Sequence, residues 1–304
     1  MPCITISDFS SAGWNHPDNA LSRSREYCAA LETGSILLFA APPFDLPGAD
    51  MEFLVSLTPA DSRLHKNISY RPEQDMLRGF SDGPNERRVR EIMQRYAGEV
   101  KRFASTFLAP YAGKFQMDYA SFRPIEEEGR DLPLHKKNDL LHVDAFPSRP
   151  TRGGRILRVF TNVNPAKDRV WVVGEEFRAL ASRFAGPAEL SKYANAWRTL
   201  EGVKRGLGRI GLPIPDRAPY DRFMLHFHDW LKENSDYQTS KEGKECIQFP
   251  PMSTWLVYTD GVPHSALSGQ FAMEQTFIVP VDALVSPDVS PLRVLERLSG
   301  REMN

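Results

Sequence analysis

Cysteine is scarce in this chain of 304 residues: only Cys3, Cys28 and Cys246, an odd number with no CxxC or other ligand spacing. A disulfide framework is therefore not expected, and a reducing cytoplasm is the expected compartment. None of the three has a nearby histidine or helix start that would lower a thiol pKa, so thiol catalysis is not indicated either. An excess of one charge is also missing, since 38 Lys+Arg against 39 Asp+Glu leave a net charge of -1. That balance argues against a strongly basic nucleic-acid binder. The longest apolar run, Ile36 to Ala41, falls far short of the roughly 20 residues that span a bilayer. The opening stretch MPCITISDFSSAGW has no basic segment followed by an apolar one, so neither export by a standard signal nor a membrane span is expected. Internal repeats and low-complexity tracts are absent, and the 24 prolines and 20 glycines are spread along the chain instead of marking a linker. A single elaborated domain over residues 1–304 is the expectation.

Aromatic residues at 11% and hydrophobic residues at 41% are enough for a sizeable core. Ile36-Leu-Leu-Phe39 is a buried-strand candidate closed by Pro42-Pro43. Between Asn85 and Leu108 the apolar residues Val89, Ile92, Tyr96, Val100, Phe103 and Phe107 recur every three or four positions, which predicts an amphipathic helix. The period then changes. Tyr119–Arg123, Leu140–Asp144, Arg155–Val163, Thr254–Tyr258 and Glu274–Val279 read as short strands rich in β-branched and aromatic residues. Helical spacing returns from Glu175 to about Arg209, whereas Lys204–Trp230 mixes Gly, Pro, Arg and aromatics without a clear period. Ser290-Pro291 reads as an N-cap with proline at the first helical position, followed by a Leu292, Leu295, Leu298 stripe. The pattern predicts a mainly β core with added helices (α+β): an N-terminal helical elaboration, a helical insert at about 174–250 and a C-terminal helix.

The chemistry concentrates at His142-Val143-Asp144. On an extended strand residues i and i+2 share a face, so this imidazole and carboxylate converge. His264, after the strand ending at Tyr258, supplies a third donor. Two histidines and one carboxylate leave coordination positions open, the arrangement of non-haem Fe(II) oxygenases. Ligands at strand edges suit the mouth of a β-barrel.

The run His142-Val-Asp-Ala-Phe-Pro-Ser-Arg-Pro-Thr-Arg-Gly-Gly-Arg-Ile-Leu-Arg-Val-Phe-Thr-Asn-Val-Asn-Pro165, with Asp260-Gly-Val-Pro-His264 downstream, resembles the Kdo hydroxylases of Gram-negative bacteria. The motif blocks cover about a quarter of the chain, with a looser resemblance elsewhere. The resemblance implies a double-stranded β-helix (jelly-roll, cupin-like) core and Fe(II)/2-oxoglutarate-dependent hydroxylation, with O2 as oxidant, of Kdo at C3 to Ko on the lipid A-linked inner core of lipopolysaccharide. It also implies His142, Asp144 and His264 as iron ligands. Many such oxygenases hold the distal carboxylate of 2-oxoglutarate with an arginine about ten residues after the second histidine, but Gln270–Ile278 contains no Arg or Lys. A carboxylate in an apolar barrel favours a guanidinium. Arg155 and Arg158, three apart on a strand, face opposite sides, and Arg158, placed among Leu157, Val159 and Phe160, is the favoured anchor. Gln275 and Thr161 are the expected neutral hydrogen-bond partners.

For the sugar, Lys136, Lys137 and Asn138 lie just before the ligands, and Arg149 and Arg152 in the loop behind them; the ordinary alternative for each is a solvated loop. His226-Phe-His228-Asp229 offers either a second metal pair or histidines bonded to backbone. Glu126-Glu127-Glu128 reads as an exposed turn, His135 as a loop residue, and Arg123 as an anion contact or a partner of Asp139. The basic and apolar cluster Lys204, Arg205, Arg209, Leu207, Ile210, Leu212 suits an anionic bilayer or plain surface. The expected location is cytoplasmic, peripheral on the inner membrane's cytoplasmic face. Two competing readings stand: a 2-oxoglutarate oxygenase of another small metabolite or a protein side chain, and a cupin-like sugar protein with a non-redox metal.

Overall fold

The computed structural model describes residues 2–57, 67–80, 83–195 and 217–304. Its strands are β1 (Cys3–Thr5), β2 (Phe9–Ser10), β3 (Gly13–Trp14), β4 (Ile36–Phe39), β5 (Ile68–Arg71), β6 (Met76–Arg78), β7 (Gln116–Arg123), β8 (Arg155–Asn162), β9 (Arg169–Val173), β10 (Glu245–Phe249), β11 (Thr254–Tyr258), β12 (His264–Ser268) and β13 (Ala272–Val279). Its helices are α1 (Ala20–Glu32), α2 (Gly48–Ser56), α3 (Gly83–Phe107), α4 (Phe177–Phe184), α5 (Pro219–Glu233), α6 (Ser235–Thr239) and α7 (Pro291–Ser299). Eight strands form one sheet in the order β1-β4-β11-β8-β13-β7-β5-β6, and β10-β9-β12 form a second. Within the large sheet only β1 and β4 run parallel. Two facing, mainly antiparallel sheets make the expected jelly roll.

Side-chain alternation along β8 sets the layers. Leu157 and Val159 join the core under α1, α2 and α3, where Val89, Ile92, Tyr96, Val100, Phe103 and Phe107 of α3 are all buried. Phe160 points the other way, with Trp255 and Val257 of β11, onto Trp171, Val173 and Phe249 of the small sheet. A third apolar cluster, built by α4, α5 and α7, caps the end of the sheets and takes in Leu141 and Val143.

Several expectations change. Leu140–Asp144 is not a regular strand; one antiparallel bridge, His142 to His264, attaches it to the edge of the small sheet. The insert at 174–250 holds α4, α5 and α6 but ends in strand β10. Part of the unassigned Lys204–Trp230 stretch is α5, started by Pro219, with Phe223, Phe227 and Leu231 buried. Ser290 caps α7 by accepting from the Arg293 N–H, and Leu292 and Leu295 are buried, but Leu298 is exposed. The basic cluster Lys204–Leu212 lies outside the described residues.

Candidate metal centre and its cavity

His142, Asp144 and His264 come together although the outer two are 122 positions apart, because backbone bonds tie their segments directly. His264 N–H donates to the His142 carbonyl at 3.0 Å, His142 N–H donates back at 3.2 Å, and Asp144 N–H donates to Thr259 O at 2.8 Å. Leu141, just before the first ligand, is clamped by the Gln238 amide, which accepts from its N–H and donates to its carbonyl, both at 2.9 Å. Leu141 and Val143 thus face the helices, and His142 and Asp144 face the cavity. The turn before His264 has its own device. Asp260 pairs with buried Arg155 at 2.8 Å, and a Cβ on Gly261 would sit 2.6 Å from the Arg155 guanidinium, so any larger residue there would have to displace that ion pair.

One ligand atom from each of the three residues lies within 4.8 Å of the others. The Nδ1 atoms of His142 and His264 face the Leu140 and Val262 carbonyls at 2.7 and 2.9 Å. A carbonyl can only accept, so both Nδ1 atoms carry the proton and both Nε2 lone pairs turn toward Asp144, at 3.7 and 3.9 Å. Burial lowers the pKa of both imidazoles, which keeps them neutral. Burial alone would raise the Asp144 carboxyl, but Arg158 and the two histidines hold it well below the usual carboxylate range. Two neutral imidazoles and one carboxylate, with Asp144 Oδ2 buried and lacking a hydrogen bond, fit a divalent metal ion.

The cavity in front of this triad has a volume of about 500 Å³, with Phe160, Trp171 and Arg158 on its sheet side and His228 and Lys232 on its helix side. Trp171 stacks on the His264 ring with centroids 5.1 Å apart. Four arginines and three carboxylates pair along the sheet wall. Arg158 contacts Asp144 at 3.0 Å and Glu274 at 2.8 Å; Arg123 also binds Glu274; and Glu127 holds Arg169 at 3.3 Å and Arg130 at 3.5 Å. Burial would raise the carboxyls of Glu127 and Glu274, but the arginines outweigh it and lower both. A carboxyl with a lowered folded pKa stabilises the fold fully above its unfolded value near 4.5 and loses that contribution as pH falls toward the folded value. Glu274→Gln is therefore expected to cost about 3 kcal/mol at pH 7. The deficit relative to wild type should shrink between pH 5 and pH 3. Denaturant titrations at several pH values check this, and a deficit that does not vary with pH would contradict it.

The roles expected from the sequence distribute unevenly over this geometry. Arg158 lines the cavity. Arg155 is 1% exposed on the opposite face of β8, with its guanidinium 4.1 Å from the Tyr258 ring. Thr161 shares that opposite face and bonds Thr254 at 3.0 Å, and Gln275 donates to Asp118 O and Thr276 O, so neither reaches the cavity. Lys136 and Asn138 line it, and Asn138 donates to both oxygens of Glu127. Arg149 and Arg152 line a separate cavity of about 880 Å³, where Arg149 stacks on Tyr119 and Phe146. Glu127 is buried, contrary to the exposed-turn reading, and Arg123 pairs with Glu274 and not with Asp139. His135 lies in a 3₁₀ turn and contacts Glu233 at 2.7 Å.

His226 and His228 do not share a face, because two residues on a helix are about 200° apart. His226 stacks on Tyr193, while His228 meets the His142 ring edge-on at 4.8 Å. Sequence reasoning missed Glu127, Glu274, Arg169 and Lys232. For His228 and Lys232 the available signal was their i,i+4 spacing on a helix that begins only at Pro219.

A jelly roll carrying His-x-Asp and a distant histidine at its mouth is the framework of non-haem iron oxygenases. The chain belongs to the 3-deoxy-D-manno-oct-2-ulosonic acid (Kdo) hydroxylase family, whose model matches residues 14–302. It is similar to solved structures of the Kdo hydroxylase KdoO, a non-haem Fe(II) α-ketoglutarate-dependent dioxygenase. With the α-ketoglutarate and Fe(III) complex it shares 33% identity over 100% of this chain and 97% of the other, at a TM-score of 0.80. The cobalt(II) complex gives 33% identity, the same coverages and a TM-score of 0.81. The succinate and Fe(III) complex gives 33%, again with the same coverages, and 0.79. No curated protein matches the chain.

Proposed function

We propose that this protein is an Fe(II)/2-oxoglutarate-dependent dioxygenase that uses O2 to hydroxylate Kdo at C3, giving Ko, on a Kdo-bearing lipid A of the lipopolysaccharide inner core. The observation that carries this reading is the donor set of His142, Asp144 and His264, all within 4.8 Å, in a chain 33% identical to KdoO along its whole length. When bound, Fe(II) supplies the oxidising chemistry, with O2 as oxidant and 2-oxoglutarate as electron donor. The chain's own residues bind, orient and shield.

His142 and His264 present Nε2 lone pairs in fixed tautomers, and Asp144 adds the negative charge. Arg158 anchors the distal carboxylate of 2-oxoglutarate. A divalent metal ion would offset the charge of Asp144, leaving Arg158 with only Glu274 against it and therefore attractive to an anion. Arg123 adds positive charge across Glu274. Phe160 and Trp171 give the cavity an apolar wall that excludes water from the reacting carbon. Lys136 sits at the wall toward the sugar. Arg149 and Arg152 face the neighbouring cavity, so the contacts we assign them are with substrate outside the oxidised ring.

The primary test is succinate formation by purified protein with Fe(II), ascorbate and 2-oxoglutarate, with and without Kdo-lipid A. Turnover stimulated by the sugar lipid and lost in His142→Ala is the expected outcome. An iron-loaded protein making no succinate with any sugar would favour the non-redox cupin reading.

Among the described residues no helix is long and apolar enough to cross a membrane. Access to a lipid-linked sugar then calls for peripheral contact at the cytoplasmic face, which the sequence cluster Lys204, Arg205 and Arg209 supports. Co-sedimentation with anionic vesicles is expected at low ionic strength and should weaken severalfold once added salt shortens the Debye length to about 6 Å. Equal recovery with neutral and anionic vesicles counts against membrane contact.

A further inference from the structure

Lys232 is 4% exposed and lines the metal cavity from α5, yet among the described residues its ammonium has a single hydrogen-bond acceptor, the His135 carbonyl at 2.9 Å. Among the described residues no carboxylate lies within ion-pair distance of it. Asp144, Asp229 and Asp139 act on it only at longer range. The arginines across the cavity differ, since Arg158, Arg123 and Arg169 each contact Glu274 or Glu127. A buried cation with unused N–H groups facing a cavity is costly unless an anion fills the place before it. One helical turn earlier, His228 donates Nδ1–H to Val143 O at 2.8 Å, which leaves Nε2 as an acceptor on the same wall. An ammonium donor and a neutral nitrogen acceptor side by side match a carboxylate with a hydroxyl close by.

We infer that Lys232 and His228 form the subsite for the sugar acid: Lys232 takes the C1 carboxylate and His228 Nε2 accepts from a nearby hydroxyl, opposite the arginine wall that serves 2-oxoglutarate. This deepens, and rests on, the Kdo reading of the same cavity. In a 3-deoxy-2-ulosonic acid the unsubstituted C3 lies only two bonds from the carboxylate carbon. Fixing that carboxylate therefore fixes the carbon to be oxidised, and makes Lys232 a specificity-determining residue for sugar acids over neutral sugars.

The test compares Kdo-lipid A with its C1-carboxamide analogue on Fe(II)-loaded protein with 2-oxoglutarate. Wild type should prefer the acid by about 10- to 100-fold in kcat/KM, the range for losing a hydrogen bond to a charged group. Lys232→Met should bring that ratio close to 1 by raising the KM for the acid, and Lys232→Arg should keep most of the preference. An acid preference intact in Lys232→Met, absent in wild type, or replaced by a rise in the KM for 2-oxoglutarate overturns the inference. Anaerobic calorimetric titration of the loaded protein with Kdo gives a readout apart from turnover. Binding should weaken at least tenfold in Lys232→Met, and equal affinity overturns the inference here as well. Wild type that binds Kdo but oxidises no sugar lipid sinks the hydroxylase reading alone, and the subsite then stands or falls on the binding comparison.

Discussion

Asp144→Ala is expected to release the metal ion and reduce sugar-dependent succinate formation by roughly 10³-fold or more, which corresponds to about 4 kcal/mol. Asp144 is the sole anionic donor of the triad, and its carboxyl stays ionised because Arg158 and the two histidines outweigh the effect of burial. Its removal leaves two neutral imidazoles facing a guanidinium that sits 3.0 Å from the present carboxylate. The dication would then lose an attraction and meet an uncompensated repulsion. Asp144→Asn separates charge from shape and should lose nearly as much. Folding should survive, since Glu274 still pairs with Arg158 at 2.8 Å. Metal content after dialysis, read beside succinate formation, is the check. Stoichiometric iron retained by Asp144→Ala would falsify the assignment of this residue as a ligand.

The donor set was legible in the sequence because a period of two puts His142 and Asp144 on one face and Leu141 and Val143 on the other, an alternation that survives although a single bridge joins the segment to the sheet. The jelly-roll strands β7, β8, β11 and β13 were legible for a similar reason. Each is a short β-branched and aromatic run closed by turn residues. What sequence alone could not supply was long-range charge matching. Glu127 sits in a run of three glutamates that looks like solvated surface, yet it is buried against Arg123 and Arg169, the latter brought in by the second sheet. The choice between Arg155 and Arg158 turned on strand parity, which the loop after Asp144 hides; β8 turns Arg158 to the cavity and Arg155 to the opposite face. Gln275 and Thr161 failed as cavity residues for the same parity reason: both lie on the face of the large sheet that packs under α3. Lys232 went unnoticed because no periodic signal announced α5 before Pro219.

Arg158→Ala is expected to raise the KM for 2-oxoglutarate by about 100-fold, whereas Arg155→Ala should leave it nearly unchanged and instead lower stability by about 3–5 kcal/mol. The two residues are three apart on one strand and both are charged, but they have different surroundings. Arg158 opens onto the cavity, with its Nε buried and unpaired. Arg155 is sealed on the other face, where it neutralises Asp260 at 2.8 Å, covers the Tyr258 ring and fills the space that Gly261 leaves. Removing Arg155 strands a buried carboxylate next to the turn that delivers His264, so its cost falls on folding, with loss of metal following only as the turn loosens. Removing Arg158 relieves Asp144 of a partner that the metal ion can replace, so its cost falls on the co-substrate. Arg158→Lys keeps the charge but not the fork and should recover only part of the affinity. Steady-state kinetics in 2-oxoglutarate, paired with denaturant unfolding of each variant, separates the two. An Arg155→Ala enzyme with the larger rise in KM would reverse the assignment and require 2-oxoglutarate to be held from the other face of β8.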